Sequence, residues 1–258
     1  MRKRLTSILV LGMVLAVACA GIATAYKPTI VKLGNLELVL NGGFKPTKLP
    51  KNKLAPIHLN VSGKINTLNG THPPALKEAI VETDKNGTIN AKGLPVCTIG
   101  KLVATETAAA EKACNKAKVG EGITNVEVEF AEQSPFIAKS KLLAFNGGVH
   151  GGVTTILIHA FLKNPVSAAV ITTVKVSKIH HGRYGTKSVA TIPVIAGGSG
   201  SVKEFELEFF RTFTYKGKKQ SYLLAKCPDG KLQAHAETIF RDGSKLVGNF
   251  VRPCTPTG

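Results

Sequence analysis

Residues 57–65, IHLNVSGKI, alternate with a period of two. Ile57, Leu59, Val61 and Ile65 fall on one face, and His58, Asn60, Ser62 and Lys64 on the other. That is the pattern of a strand with one face toward a core and one toward water. Strand-like runs recur along the chain: LKEAIVET (76–83), NVEVEF (125–130), AAVITTVKV (168–176), VATIPVI (189–195), SYLLAKC (221–227), LQAHAETIF (232–240) and KLVGNFV (245–251). The run VTTILIHAFL (153–162) is apolar on both faces and belongs at the centre of a sheet. The longest run, VKEFELEFFRTFTY (202–215), sets Phe205, Leu207, Phe209, Phe213 and Tyr215 against Glu204, Glu206 and Glu208. Turn dipeptides Asn86-Gly87, Asp229-Gly230 and Asp242-Gly243 punctuate these runs. The expectation is an all-β fold, an antiparallel β-sandwich or barrel of about ten to twelve strands.

One stretch reads as a helix: ETAAAEKACNKA, residues 106–117, between Cys97 and Val119. Thr105 or Thr107 is placed to cap it.

The opening, MRKRLTSILVLGMVLAVACAGIATAY, has a basic start at Arg2, Lys3 and Arg4. A short apolar stretch follows, and then the small-residue pattern Ala23-Thr24-Ala25. This is a secretory signal peptide with cleavage expected after Ala25. A rival reading attaches lipid at Cys19, although the residue three places before it is not the usual leucine. The expected organisation is 1–25 signal peptide, 26–53 lead-in or linker, and 54–258 one β-sandwich domain. No later apolar run approaches the length of a membrane helix, about 20 residues. The product is therefore expected to be secreted or to sit at the cell envelope.

Export changes the meaning of the cysteines. Four remain after cleavage, Cys97, Cys114, Cys227 and Cys254, and an even number in an oxidising compartment implies disulfides. Three pairings exist. Closeness in sequence favours Cys97–Cys114 and Cys227–Cys254. Zinc wants closely paired ligands, and the intervals here are 16, 112 and 26 residues. Cys114 has no neighbouring base to make it a nucleophile.

The formal charge is +18, of which the leader carries three, leaving +15. Such an excess attracts anionic cell-wall polymer, polysaccharide, nucleic acid or anionic lipid. The lysines are spread along the sequence, with denser groups in KPTKLPKNK (45–53) and YKGKKQSY (215–222). Lys216, Lys218 and Lys219, flanked by Tyr215 and Tyr222, are the candidate polyanion contacts, with the tyrosines stacking on a base or sugar.

Catalytic patterns are sparse. His150, His180 and His181 lie beside glycine-rich stretches expected as loops, FNGGVHGG and HHGRYGTKS, without metal-ligand spacing. They define the alternative reading, a hydrolase with an atypical histidine site. His159 reads as a hydrogen-bonded core residue. The three aspartates, Asp84, Asp229 and Asp242, sit in turn sequences, and the strand glutamates read as a solvated ion-pair surface. GGSGS around Ser199 lacks the following glycine of a nucleophile elbow. No cofactor motif is present.

The phrases HPPALKEAIVETDKNG, GLPVC, KSVATIPVIAGGSGSV, FTYKGKKQSYLLAKCPDGKLQA and VRPCTP resemble a group of secreted actinobacterial proteins of unknown function. The resemblance implies a cleaved leader and paired cysteines, and it carries no activity. The functional expectation is therefore a non-catalytic exported protein whose basic surface binds anionic envelope polymer or another protein.

Overall fold

The computed structural model describes residues 26–163 and 167–258. The expected leader and Cys19 lie outside the described residues. In chain order the strands are β1 Thr29–Leu33, β2 Leu36–Lys45, β3 Lys48–Pro50, β4 Ala55–Pro56, β5 His58–Thr67, β6 Leu76–Asp84 and β7 Gly87–Ile89. After the helix α1, Thr107–Cys114, come β8 Lys118–Phe130, β9 Gln133–His150, β10 Val153–Leu162, β11 Ala168–His181 and β12 Tyr184–Thr191. The remainder are β13 Gly200–Phe209, β14 Thr212–Tyr215, β15 Lys218–Ser221, β16 Leu223–Ala225, β17 Lys231–Phe240, β18 Lys245–Pro253 and β19 Thr255–Thr257. The fold is all-β with one short helix, as the periodicity required.

Twelve strands form one antiparallel sheet in the order β1-β2-β5-β13-β8-β9-β10-β11-β12-β6-β17-β18. The sheet curls until its edges meet. Thr29 Oγ1 on β1 donates to the Asn249 carbonyl on β18 at 3.4 Å, and Gly248 lies against Val31 and Thr29. No ladder crosses this seam. Arg252 bridges it instead: its Nε donates to the Gly42 carbonyl on β2 at 2.5 Å and its Nη2 to Asn41 Oδ1 at 3.2 Å. The seam thus covers two strand edges that would otherwise offer unpaired N–H and C=O groups.

The inner face is hydrocarbon. One cluster joins Leu36, Leu38, Leu40, Ile65, Val126, Val128, Phe240 and Leu246. A second joins Val119, Leu142, Ala144, Ile156, Val174, Val176, Leu207 and Tyr222. Gly63 leaves space for the Phe205 ring, since a Cβ there would stand 2.5 Å from it. Alternate positions face outward and carry Lys64, Lys175 and Glu206, all exposed. The wall is therefore apolar inside and charged outside, the reverse of a membrane barrel with a polar lumen. Among the described residues no helix is long and apolar enough to cross a membrane.

The chain departs from its expected organisation in three places. Residues 26–53, expected as a lead-in, supply β1 and β2 to the main sheet; β2 runs straight through Asn41-Gly42-Gly43 and pairs with β5 along its length. The long run 202–215 is broken at Phe210-Arg211, where the chain leaves the sheet. Phe210 N bonds to the Val119 carbonyl and the Arg211 carbonyl accepts from Tyr222 N. The stretches FNGGVHGG and HHGRYGTKS are mostly strand, with only Gly151-Gly152 and Gly182-Arg183 outside β9–β10 and β11–β12. Ladder hydrogen bonds along their length outweigh the flexibility of their glycines.

The both-faces-apolar run is explained by a flap. Residues 97–117 lie over the outer face of β9 and β10, where Leu143, Phe145 and Leu157 pack on Leu102, Ala110 and Ala117. Burying each of those three large side chains contributes on the order of 1.5–3 kcal/mol. An eight-residue helix is too short to hold itself, so this packing and the Cys97–Cys114 disulfide hold it. The helix N-cap is Glu106, without a side-chain cap bond, rather than either expected threonine; Thr105 Oγ1 turns back to the Val103 carbonyl at 3.0 Å. The Lys118 ammonium, between Glu111 at 2.5 Å and Glu121 at 3.0 Å, ties helix to sheet.

His159 lies under this flap with 0% exposure. Its Nε2 meets the Thr105 carbonyl at 2.7 Å, and its Nδ1 has no partner. Burial pushes the imidazole below its ordinary value of 6.5, against a smaller opposing pull from the Thr105 carbonyl. The folded state thus favours the neutral ring, while the unfolded chain takes up a proton as pH falls through 6.5. Stability carried by neutral His159 is present above that pH and declines below it. We predict that the denaturant midpoint falls between pH 7 and pH 5 by more in the wild type than in H159L, measured by parallel urea titrations.

Candidate functional site

Because every neighbour in the main sheet is antiparallel, strand termini sort into two ends. At one end the connections are short or plain. At the other, the chain between strands builds a cap of three small sheets: β14–β15, β4–β16–β7, and parallel β19–β3. Backbone bonds join the cap segments, among them Cys227 N to the Pro50 carbonyl, Lys226 N to the Asn86 carbonyl and Ile57 N to the Leu223 carbonyl. Phe44, Leu49, Ile57 and Ala225 fill the space around the Cys227–Cys254 disulfide.

The two disulfides are the pairs favoured by sequence separation, with Cα–Cα distances of 5.5 Å for Cys97–Cys114 and 6.1 Å for Cys227–Cys254. Both fit an oxidising, extracytoplasmic setting.

Charge follows the same division. The cap segments 45–57, 85–93, 210–231 and 252–258 carry thirteen Lys and Arg against one acid, Asp229. The connections at the opposite end, 34–35, 68–75, 131–132, 163, 167, 192–199 and 241–244 among the described residues, carry two basic and two acidic residues. In the cap, Lys45, Lys48, Lys51, Lys53, Lys216, Lys218 and Lys219 are exposed. Among the described residues the ion pairs are made by other lysines, Lys32, Lys118, Lys141, Lys203 and Lys245. Eleven lysines scattered along the sequence are thereby brought to one end of the molecule.

The predicted contact group is divided by the structure. Lys216 and Gly217, both at positive φ, form the tight turn of the β14–β15 hairpin. This presents Lys216, Lys218 and Lys219 to solvent. The Tyr215 ring packs over Gly93, where a Cβ would come within 2.0 Å of it, and Lys216 Nζ lies 5.8 Å from its centroid. Tyr222 does not belong to this surface. It is 0% exposed within the inner core, and burial pushes its phenol far above the ordinary range. The residue after β15 turns inward, so Tyr222 cannot stack on a ligand.

The histidines do not assemble into one site. His181 faces Glu82 at 3.4 Å, His150 ends β9, and His180 alone of the three lines a surface depression. Among the described residues no group of three or more His, Cys, Asp and Glu side chains is placed to hold a metal. Of the strand glutamates, Glu127 pairs with Lys203 at 2.6 Å and His72 at 3.1 Å but is only 12% exposed, and Glu204 accepts from the Asn125 amide at 3.0 Å, so this face is less solvated than expected.

Among the surface depressions, two bear on binding. One, about 580 Å³, lies on the outer wall among Glu121, Ile123, Asn125, Lys139 and Lys141. Its Glu121 carboxylate is paired with Lys141 at 3.1 Å, and Lys139 lies beside them. The other, about 390 Å³, lies at the capped end between the β6–β7 turn and the β11–β12 hairpin. Lys85, Lys178, His180, Thr88, Tyr184 and Thr186 line it, with Gly87, Gly182 and Gly185. It has no carboxylate in its lining.

An arginine that sequence reasoning passed over holds this region together. Arg183, in the β11–β12 turn, donates from Nε to Asp84 at 2.7 Å and from its Nη atoms to Asp229 at 2.5 and 3.0 Å. A further bond reaches the Lys231 carbonyl at 2.6 Å. Asp84 is 3% exposed and also accepts from Asn86 N and Gln233 N. The Asp84 turn does not close a hairpin; it sends the chain from the main sheet into the cap. Arg183 hydrogen bonds hold the Asp229 carboxyl down at about 2. Its contribution is thus present above the ordinary 3.8 and persists until pH falls through about 2.

No protein-family model, no curated protein and no solved structure matches the chain.

Replacing Arg183 leaves the buried Asp84 carboxylate without its cation. We predict that R183A costs about 3 kcal/mol and that D229N, at an exposed partner, costs less. Urea unfolding of both variants checks the order.

Proposed function

We propose that this chain is an exported, non-catalytic binding protein whose capped end takes up an anionic polymer of the cell envelope. The observation that carries the reading is the charge division, thirteen basic residues to one acid across the cap against a balanced opposite end. Two further features support it. The leader-like opening and the paired cysteines fit a protein that works outside the cytoplasm. The cap is rigid, stapled by Cys227–Cys254 and latched by Arg183, so its lysines are displayed on a preorganised surface at a reduced ordering cost.

Lysine-rich surfaces bind linear polyanions by releasing counterions, which makes the affinity steep in salt. The expected result is binding to polyphosphate and to an anionic polysaccharide at low salt. With three phosphate contacts, affinity should weaken about 20- to 40-fold between 50 and 200 mM salt. K216E/K218E/K219E should abolish most of that binding, whereas K77E/K163E, at the opposite end, should leave most of it. Absence of binding at low salt, or equal losses in the two variants, overturns the proposal; fluorescence anisotropy of labelled polymer reads both.

A further inference from the structure

We propose that the depression between the β6–β7 turn and the β11–β12 hairpin seats one anionic sugar unit of that polymer. This rests on the function proposed above and names the chemistry of its ligand. Two kinds of polar group meet there. Lys85, Lys178 and His180 supply nitrogen donors and Thr88 supplies a hydroxyl, while Tyr184 borders the site with its ring 6.3 Å from those of His181 and His235. Gly87, Gly182 and Gly185 leave three positions of the lining without a side chain.

The walls are fixed independently of any ligand. Lys85 N donates to the Arg183 carbonyl at 2.9 Å, and a Cβ on Gly185 would stand 2.5 Å from Lys85 Cα. The hairpin therefore lies directly against the turn. The nearby carboxylates, Asp84 and Asp229, are occupied by Arg183. The positive charge of Lys85 and Lys178 is left uncompensated, since neither makes an ion pair among the described residues.

Size and surface choose the ligand class. A volume of about 390 Å³ lies at the low end of the range for small-molecule sites, about 300–1,000 Å³. A bare phosphate would fill little of it. A sugar ring bearing one phosphate or carboxylate would place its anion on the lysines, with hydroxyls toward Thr88. The outer-wall depression is larger but holds the Glu121 carboxylate against its lysines, so it offers no such match.

The test titrates isotope-labelled mature chain with glucose 6-phosphate, glucuronate, inorganic phosphate, uncharged glucose and a short single-stranded DNA, following backbone amide signals. Saturable shifts of Thr88, Gly182 and Gly185 are expected with glucose 6-phosphate or glucuronate, and whichever binds more tightly distinguishes a phosphate- from a carboxylate-bearing polymer. K85A/K178A should weaken that binding about tenfold, with an unchanged thermal melt showing that the fold is intact. K216E/K218E/K219E should leave it in place. Equal binding of inorganic phosphate, tighter binding of the DNA, or shifts centred on residues 216–219 would each overturn the inference. Polymer binding without any sugar-acid shift rejects the depression and leaves the proposed function standing. Sugar-acid binding without polymer binding rejects the proposed function and the polymeric origin of the ligand.

Discussion

Arg252 lies across the one gap in an otherwise continuous wall. Eleven ladders hold the twelve strands to their neighbours, but β1 and β18 meet without one. The guanidinium reaches from β18 to the Gly42 carbonyl and the Asn41 side chain on β2, and stacks 5.1 Å over Tyr26. The first inner cluster depends on that closure, because Leu36, Leu38 and Leu40 face Leu246 and Ala236 only when the sheet is curled. Closure also removes two reactive edges.

The same antiparallel arrangement that closes the wall sorts its connections. Strands that run alternately up and down must return at alternating ends. In this chain the longer excursions, 45–57, 85–117 and 210–230, all leave from one end. The first, the last and the start of the middle one, with the C-terminal segment, fold over that end as the cap; residues 97–117 of the middle one continue as the flap on the outer wall. Each excursion carries its lysines along, so topology concentrates charge that the sequence distributes. The two disulfides divide the same work: one anchors the flap and the other the cap.

Legibility varied with the range of the interaction. The strands at 57–65, 153–162 and 232–240 were readable because alternation is local and has a period of two. The cysteine pairs followed from short separations. The strand at 36–45 was not readable past Leu40, because Gly42 and Gly43 signal a turn locally and only pairing with β5 keeps them extended. His159 was legible as a buried residue, but the flap that covers it was not. Tyr222 was misplaced for a related reason: next to three lysines it looks exposed, yet its ring turns into the inner core. Arg183, Asp84 and Asp229 lie 46 to 145 residues apart, and no local pattern relates a turn arginine to turn aspartates so distant.

By itself the sequence determined an all-β chain with one short helix, its apolar strand faces, its two cysteine pairs and a strong positive charge, since each depends on composition or on residues close along the chain. Only the tertiary structure decided that the sheet closes, that its cations gather at a capped end and that a carboxylate-free depression opens there. Those outcomes depend on which distant strands share a ladder, and hydrogen bonds between distant backbone segments leave no mark in the local pattern of side chains.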